Sequence, residues 1–335
     1  MTLASNPKRV LIVCLRRLGD VLLATPLAYS IRLGWPGTQI DWLVFDSTAG
    51  ILEGNKVADR IVTTKDHGDF KSKISTLRNI VGRYDLAVSV QSGDRPTFFA
   101  RLAASNAYTF ASDASGGSLR DALMTGVVRV SDKIHRVDKV LQLTGLLGIK
   151  AHREVVPPTP VPVRLSELGK KYVVFHPGAA FHYKRLNAQA WRELYDWYAS
   201  QQIQVIVTGG NSLSESAYID QIFEGRTPIR LDGKLSWPQL SSVILGSRGF
   251  IGVDTSVTHL AAALGVATYA VFGPTDPVLW RPIGPPDSGN VKVIQAPLPC
   301  VPCQLEGCER HINSRSDCLD RISARDILGV INAGG

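Results

Sequence analysis

Gly252-Val253-Asp254-Thr255-Ser256-Val257-Thr258-His259-Leu260-Ala261-Ala262-Ala263-Leu264-Gly265 is the stretch on which the reading of this chain turns. A short apolar run, 249–253, ends in it, and a segment rich in Ala and Leu follows at once. The pattern predicts a buried strand that runs straight into a helix. Asp254, Thr255 and Ser256 stand at the helix start, where unpaired N–H groups and the positive end of the helix dipole attract negative charge. His259 falls in the first turn. Four polar groups at one strand-to-helix junction are more than a cap requires, although a capping cluster with a satisfied histidine has the same spacing.

The same alternation extends outward in both directions. Apolar runs at 9–15, 40–45 and 84–90, and again at 172–176, 203–208 and 268–272, are short and mostly unbroken. Strands buried on both faces of a parallel sheet read this way. Amphipathic stretches separate them. Asn187 is placed to cap a helix that puts Trp191, Leu194, Tyr195 and Tyr198 on one face. The pattern predicts an α/β, doubly wound architecture. Pro157, Pro158, Pro160 and Pro162 crowd the segment 155–163. Proline at that density opposes both helix and central strand and suits a semi-rigid linker. The chain therefore divides into two comparable α/β domains, 1–160 and 161–335. A length of 335 residues agrees with two cores rather than one.

The composition narrows the function classes. Apolar residues make up 44% and charged residues 20%, as in ordinary globular proteins. No apolar run approaches the ~20 residues that a membrane span requires, and the N-terminal pattern is not that of a secretory signal. A cytoplasmic location is expected. The net charge of +8 is spread along the chain without a basic stripe or interleaved aromatics, so nucleic-acid binding is not expected. Attraction to an anionic substrate or an anionic membrane face fits that charge.

Four further groups stand where strands are expected to end, the edge at which open α/β sheets bind ligands. Arg16-Arg17-Leu18-Gly19-Asp20 follows the first strand. Asp20 reads equally as a group facing a ligand and as a helix cap, and the turn lacks the G-x-G-x-x-G of dinucleotide-binding enzymes. His176-Pro177-Gly178-Ala179-Ala180, with Lys184-Arg185, makes a small-residue loop whose N–H groups and lysine suit a diphosphate. Thr208-Gly209-Gly210-Asn211 with Glu215, and Phe272-Gly273-Pro274-Thr275, lie at the same edge. Of five cysteines, Cys14 reads as a small core residue, while Cys300, Cys303, Cys308 and Cys318 cluster as C-x2-C-x4-C-x9-C. That set is compatible with a closed structural Zn or Fe site, and equally with four free thiols.

Taken in order, Leu18-Gly19-Asp20, His176-Pro177-Gly178-Ala179 with Lys184-Arg185, Asp254-Thr255 with His259-Leu260-Ala261-Ala262-Ala263, and Phe272-Gly273-Pro274-Thr275 resemble glycosyltransferase family 9. These are the ADP-heptose:lipopolysaccharide heptosyltransferases, and the Cys-rich tail (300–318) resembles that of types II and III. The resemblance implies a GT-B fold, two Rossmann-like domains facing across a cleft, with acceptor on the N-terminal one and nucleotide sugar on the C-terminal one. It implies that the last helix, 323–332, crosses back to the first domain. The implied reaction transfers L-glycero-D-manno-heptose from ADP-heptose to the lipid A-core oligosaccharide, with inversion and without a catalytic cofactor, at the cytoplasmic face of the inner membrane. Asp20 would be the general base. Lys184, Asp254, Thr255, Ser256, His259, Glu215, Gly178, Ala179 and Gly209 would hold the donor, and Arg16 and Arg17 the acceptor. Lys184-Arg185-Leu186-Asn187 departs from the family's usual Lys-Arg-Trp-Pro, which leaves room for another nucleotide sugar or another acceptor. From a different class, a non-catalytic binding protein organised by the cysteine cluster is the alternative.

Overall fold

The computed structural model describes residues 6–67, 70–115, 119–163 and 171–333. Its contacts divide the chain into two compact units, Met1–Thr159 and Pro160–Gly335.

The first unit is built on strands β1 (Arg9–Cys14), β2 (Gln39–Phe45), β3 (Arg60–Thr64), β4 (Leu86–Ser89), β5 (Asn106–Ser112) and β6 (Gly126–Val130). They form one parallel sheet in the order β3-β2-β1-β4-β5-β6. Val10 to Cys14 have no exposed surface, which explains why β1 carries no polar alternation. The second unit repeats the plan with β7 (Tyr172–His176), β8 (Gln204–Val207), β9 (Ile229–Arg230), β10 (Phe250–Val253), β11 (Thr268–Phe272) and β12 (Val291–Gln295). Its order, β9-β8-β7-β10-β11-β12, is the same doubly wound arrangement and is also parallel. In each sheet the winding reverses beside the first strand of its unit, between β1 and β4 and between β7 and β10. A crevice that binds ligands is expected at the carboxyl ends of those two strand pairs.

The proline-rich segment has no regular structure, as expected, yet it is tied down. Thr25 Oγ1 accepts from the Val156 amide at 2.9 Å, and Asn55 Nδ2 donates to the Val156 carbonyl at 2.8 Å. The Thr159 amide donates to the Gly54 carbonyl at 3.3 Å, all within the first unit. Within the second, the Val161 amide donates to the Pro238 carbonyl at 3.2 Å.

Asn187 caps the helix Ala188–Ser200, accepting from the Ala190 amide at 2.8 Å. Trp191, Leu194 and Tyr198 are buried by that helix, and Trp191 and Tyr198 pack their rings on Phe175 at 5.3 and 5.7 Å. Truncating a side chain like Trp191 costs about 3–5 kcal/mol. The C-terminal helix Ala324–Asn332 starts on a capping box formed by Ser323 and Asp326. It lays Ile327, which is fully buried, into the core shared with Trp191 and Leu194. The segment expected to cross to the first unit thus buries its apolar face in the second.

Candidate functional site

Two loops meet at the reversal point of the second sheet. The chain leaves β7 at His176 and passes through Pro177, Gly178 and Ala179 to the short turn His182–Lys184. The other loop leaves β10 at Val253 and enters the helix Ser256–Ala263, whose N-cap is Thr255. Gly252 permits this helix to lie close on its own strand, because a Cβ there would fall 2.9 Å from Thr258 Oγ1 and 2.6 Å from the Phe250 ring. Thr258 Oγ1 donates back to the Val253 carbonyl at 2.5 Å and locks the junction. The Thr255 side chain makes no capping bond of its own.

Lys184 and Asp254 join the loops through an ion pair, Nζ to Oδ2, at 2.5 Å. Asp254 is 7% exposed and the Lys184 side chain 22%. Burial alone would raise the Asp254 carboxyl. The Lys184 ammonium, its hydrogen bond, His259 and the Thr275 hydroxyl outweigh burial and hold the carboxyl below the usual carboxylate range. His259 is buried one turn into the helix. The ammonium has three donors, and among the described residues the one side-chain acceptor recorded for it is Asp254. His176, at the end of β7, is driven down to about pKa 4 by burial and is neutral at pH 7. Its Nδ1 lies 2.9 Å from Thr208 Oγ1, which ties β7 to the end of β8.

Glu215 sits in the first turn of the helix Leu213–Ile222, after β8, and its carboxylate lies among glycines. The Gly210 amide donates to Oε1 at 2.7 Å. A Cβ at Gly178 would fall 1.8 Å from Oε1, and one at Gly209 3.1 Å from the same atom. Gly178 is therefore a neighbour of Gly209 and Glu215, which lie some thirty residues further along the chain, and any side chain at Gly178 would displace the carboxylate. Arg185 Nε donates to the Ala179 carbonyl at 3.2 Å and fixes the loop from its outer side. The donor-side residues read from the sequence thus gather at one sheet edge: Gly178, Ala179, Lys184, Gly209, Glu215, Asp254, Thr255, Ser256 and His259.

In the first unit Asp20 belongs to the five-residue helix Leu18–Leu22, directly after β1. It lies within the first turn rather than at the N-cap, which is Arg17 and makes no side-chain capping bond. Arg16 and Arg17 are exposed beside it, with Arg16 Nε 4.0 Å from Asp20 Oδ1. A nearer cation, Arg136, is missing from the sequence reading. Its Nε is 3.2 Å from Asp20 Oδ1, and both side chains are about nine-tenths buried. Nothing in the local sequence His135-Arg136-Val137-Asp138 distinguishes this arginine from a surface one. Only its tertiary position does.

The cysteine cluster does not assemble as the C-x2-C-x4-C-x9-C spacing suggests. Among the described residues no group of three or more His, Cys, Asp or Glu side chains is arranged to hold a metal ion. Cys300 and Cys308 are exposed while Cys318 is buried. Burial, with Cys303 and Cys308 adding to it, pushes the Cys318 thiol up to about 11. Cys318 serves as a core residue beside Leu319 and Ile322. Of the two readings the spacing allows, a structural Zn or Fe site has no support in this arrangement of the described residues.

These features have close counterparts in known proteins. The model of glycosyltransferase family 9 (heptosyltransferase) matches residues 146–311. Lipopolysaccharide heptosyltransferase 3 of Escherichia coli strain K12 is 28% identical over 299 residues, covering 79% of this chain and 82% of that protein. Lipopolysaccharide heptosyltransferase 1 of Pseudomonas aeruginosa is 26% identical over 317 residues, covering 90% and 87%. The fold matches that of the E. coli heptosyltransferase WaaC solved with ADP, at a TM-score of 0.77 and 22% identity over 98% of this chain and all of that one. Two doubly wound parallel sheets, each with its polar groups beyond the carboxyl ends of its strands, are the GT-B architecture of that structure. The ordered motifs of the sequence stand at those ends, and over most of its length the chain is similar to lipopolysaccharide heptosyltransferases, with residues 146–311 matching the model of glycosyltransferase family 9.

Proposed function

We propose that the chain is an inverting transferase that moves L-glycero-D-manno-heptose from ADP-heptose to the inner core of lipopolysaccharide, with Asp20 as general base. The observation that carries this reading is the Lys184–Asp254 pair, set at the reversal point of the second sheet and at the head of the helix Ser256–Ala263. A diphosphate is drawn there by the helix N-terminus and by the free donors of Lys184. Asp254 and Glu215 supply acceptors for hydroxyl groups of sugar and ribose. In this reading the donor's growing negative charge is met by the lysine and the helix, and no divalent cation is asked for.

The chemistry is one displacement. The acceptor hydroxyl oxygen forms a bond to the anomeric carbon as the bond from that carbon to the diphosphate oxygen breaks. The electron pair leaves with ADP. Asp20 takes the hydroxyl proton as the new bond forms, and the attack from the opposite face inverts the configuration. Relatives named as lipopolysaccharide heptosyltransferases support heptose as the transferred sugar and lipopolysaccharide as its destination. No helix among the described residues is long and apolar enough to cross a membrane. A lipid-anchored acceptor therefore asks for peripheral docking at the inner-membrane face, which the net charge of +8 favours.

ADP at about a hundredfold above its Kd is expected to stabilise the native protein by ~2.7 kcal/mol in a thermal-shift assay. UDP is expected to give no shift. A response to UDP alone would overturn the choice of donor. Mass spectrometry of the core oligosaccharide from a strain lacking the protein should show one heptose fewer, and an unchanged core would move the acceptor elsewhere.

Gly178→Ala tests the donor site from inside. The new methyl falls where Glu215 Oε1 now lies. The clash is expected to cost about 1–3 kcal/mol, read as roughly tenfold to hundredfold weaker ADP binding by calorimetric titration. Unchanged affinity would remove Glu215 from the nucleotide site.

A further inference from the structure

Asp20 is a general base carried on a very short support. Its helix, Leu18–Leu22, has five residues, and its N-cap makes no side-chain bond. A carboxylate that must meet a hydroxyl within hydrogen-bond distance needs firmer orientation than one helical turn provides.

We propose that Arg136 is the positioning residue for Asp20: its buried guanidinium fixes the Oδ1 side of the carboxylate and leaves Oδ2 as the oxygen offered to the acceptor hydroxyl. This rests on the reading of Asp20 as the base. Arg136 Nε stands 3.2 Å from Oδ1. Oδ1 is shut off from solvent and the pair is not aligned as a hydrogen bond, so the contact acts through charge and packing. The side chain as a whole keeps 10% exposure. The part of the carboxylate that a substrate can reach is therefore the Oδ2 side.

Arg136 is itself anchored to the sheet. Its Nη2 donates to the Val90 carbonyl at 3.0 Å, just beyond β4. Its guanidinium carbon lies 5.7 Å from the centre of the Phe110 ring on β5. His135, one residue before it, caps the helix Arg136–Leu141 by accepting from the Val137 amide through Nδ1. One side chain thus spans the ends of β1, β4 and β5 at the reversal point of the first sheet. Arg16, at 4.0 Å and half exposed, has no comparable anchor among the described residues. Arg136 donates no proton and touches no reacting atom in this arrangement. Its effect passes through Asp20.

A double-mutant cycle in the full-length protein tests this, with kcat measured at saturating donor and acceptor for Asp20→Asn, Arg136→Met and the pair combined. Arg136→Met alone is expected to lower kcat about 10²-fold, the scale of a misplaced catalytic group, with the Kd for ADP unchanged. Arg136→Lys is expected to recover roughly tenfold of that loss, because it restores charge but not the fork of donors. Added to Asp20→Asn, Arg136→Met should change kcat by less than about threefold, since the group it positions is already disabled. Losses that multiply in the double variant would overturn the proposal and leave Arg136 as a fold element only. So would an Arg136→Met enzyme with wild-type kcat. If Arg136→Met does not fold, Arg136→Gln and Arg136→Lys carry the same cycle. Wild-type turnover in Asp20→Asn is a separate result, which removes the base itself and this inference with it.

Discussion

Replacing Asp20 by Asn is expected to lower turnover by about 10²–10⁴-fold, the range a well-placed general base contributes. The substitution keeps the shape of the side chain and removes its ability to take a proton. Donor binding should survive, because Lys184, Asp254, Glu215 and the helix Ser256–Ala263 all belong to the second unit. The measurement is kcat with the Kd for ADP beside it, from the same preparation. Some stability will also be lost, because Arg136 keeps a buried charge whose partner is gone. The assay therefore belongs well below the melting temperature of the variant. Turnover within a fewfold of wild type would end the case for Asp20.

Lys184→Met is expected to damage both stability and donor binding. Asp254 is buried, and its ionised form is tolerated chiefly because the ammonium is 2.5 Å away. Removing one member of a buried pair strands the other, at a cost of about 3 kcal/mol for a pair with this residual exposure. The pH dependence gives the effect a signature. In the wild-type chain the Asp254 carboxyl lies below its unfolded value of 3.8. The pair's contribution is thus fully present above that value and is lost only as pH falls below it. In the variant, burial acts with little opposition, so the carboxyl is raised instead. The variant should be least stable near neutrality and should regain stability as pH drops and the group takes up a proton. Thermal melts of both proteins between pH 4 and 8 should converge toward the acid end. A constant gap across that range would mean that Asp254 is not stranded. Binding of ADP should weaken in parallel, since in the proposed function the same ammonium meets the diphosphate.

The parts of the fold that the sequence announces are the ones buried on both faces. β1, β7 and β11 carry runs with no polar interruption, and their limits follow from them. β3, β6 and β12 escape notice because edge strands show one face to solvent and are mixed in composition; β12 is buried at only one position of five. β5 is buried along most of its length, but Asn106, Thr109 and Ser112 dilute its apolar pattern. The residues proposed to hold the donor are legible because each lies beside the end of a strand and is joined to its motif by a few residues of chain. Arg136 is not, because it reaches Asp20 from a helix 116 residues further on and no local pattern marks it. The cysteines mislead in the opposite direction. Their spacing is regular along the chain, yet Cys318 is drawn into the apolar core while Cys300 stays outside it.

Asn187 closes a long circuit. Its Oδ1 caps the helix after Lys184, and its Nδ2 donates to the carbonyls of Leu319, Asp320 and Ile322 at 3.0–3.3 Å. The core around Trp191 also waits for Leu319, Ile322 and Ile327. During synthesis the first sheet has all its strands once residue 130 has emerged, whereas the second core lacks its closing pieces until Ile327 does. At about 5–20 residues per second, the 168 residues from Pro160 to Ile327 take roughly 8–34 s. For that interval the ribosome carries a first unit able to fold and a second unit with an open apolar face. Chaperone dependence and pulse-labelled aggregation should therefore map to the second unit.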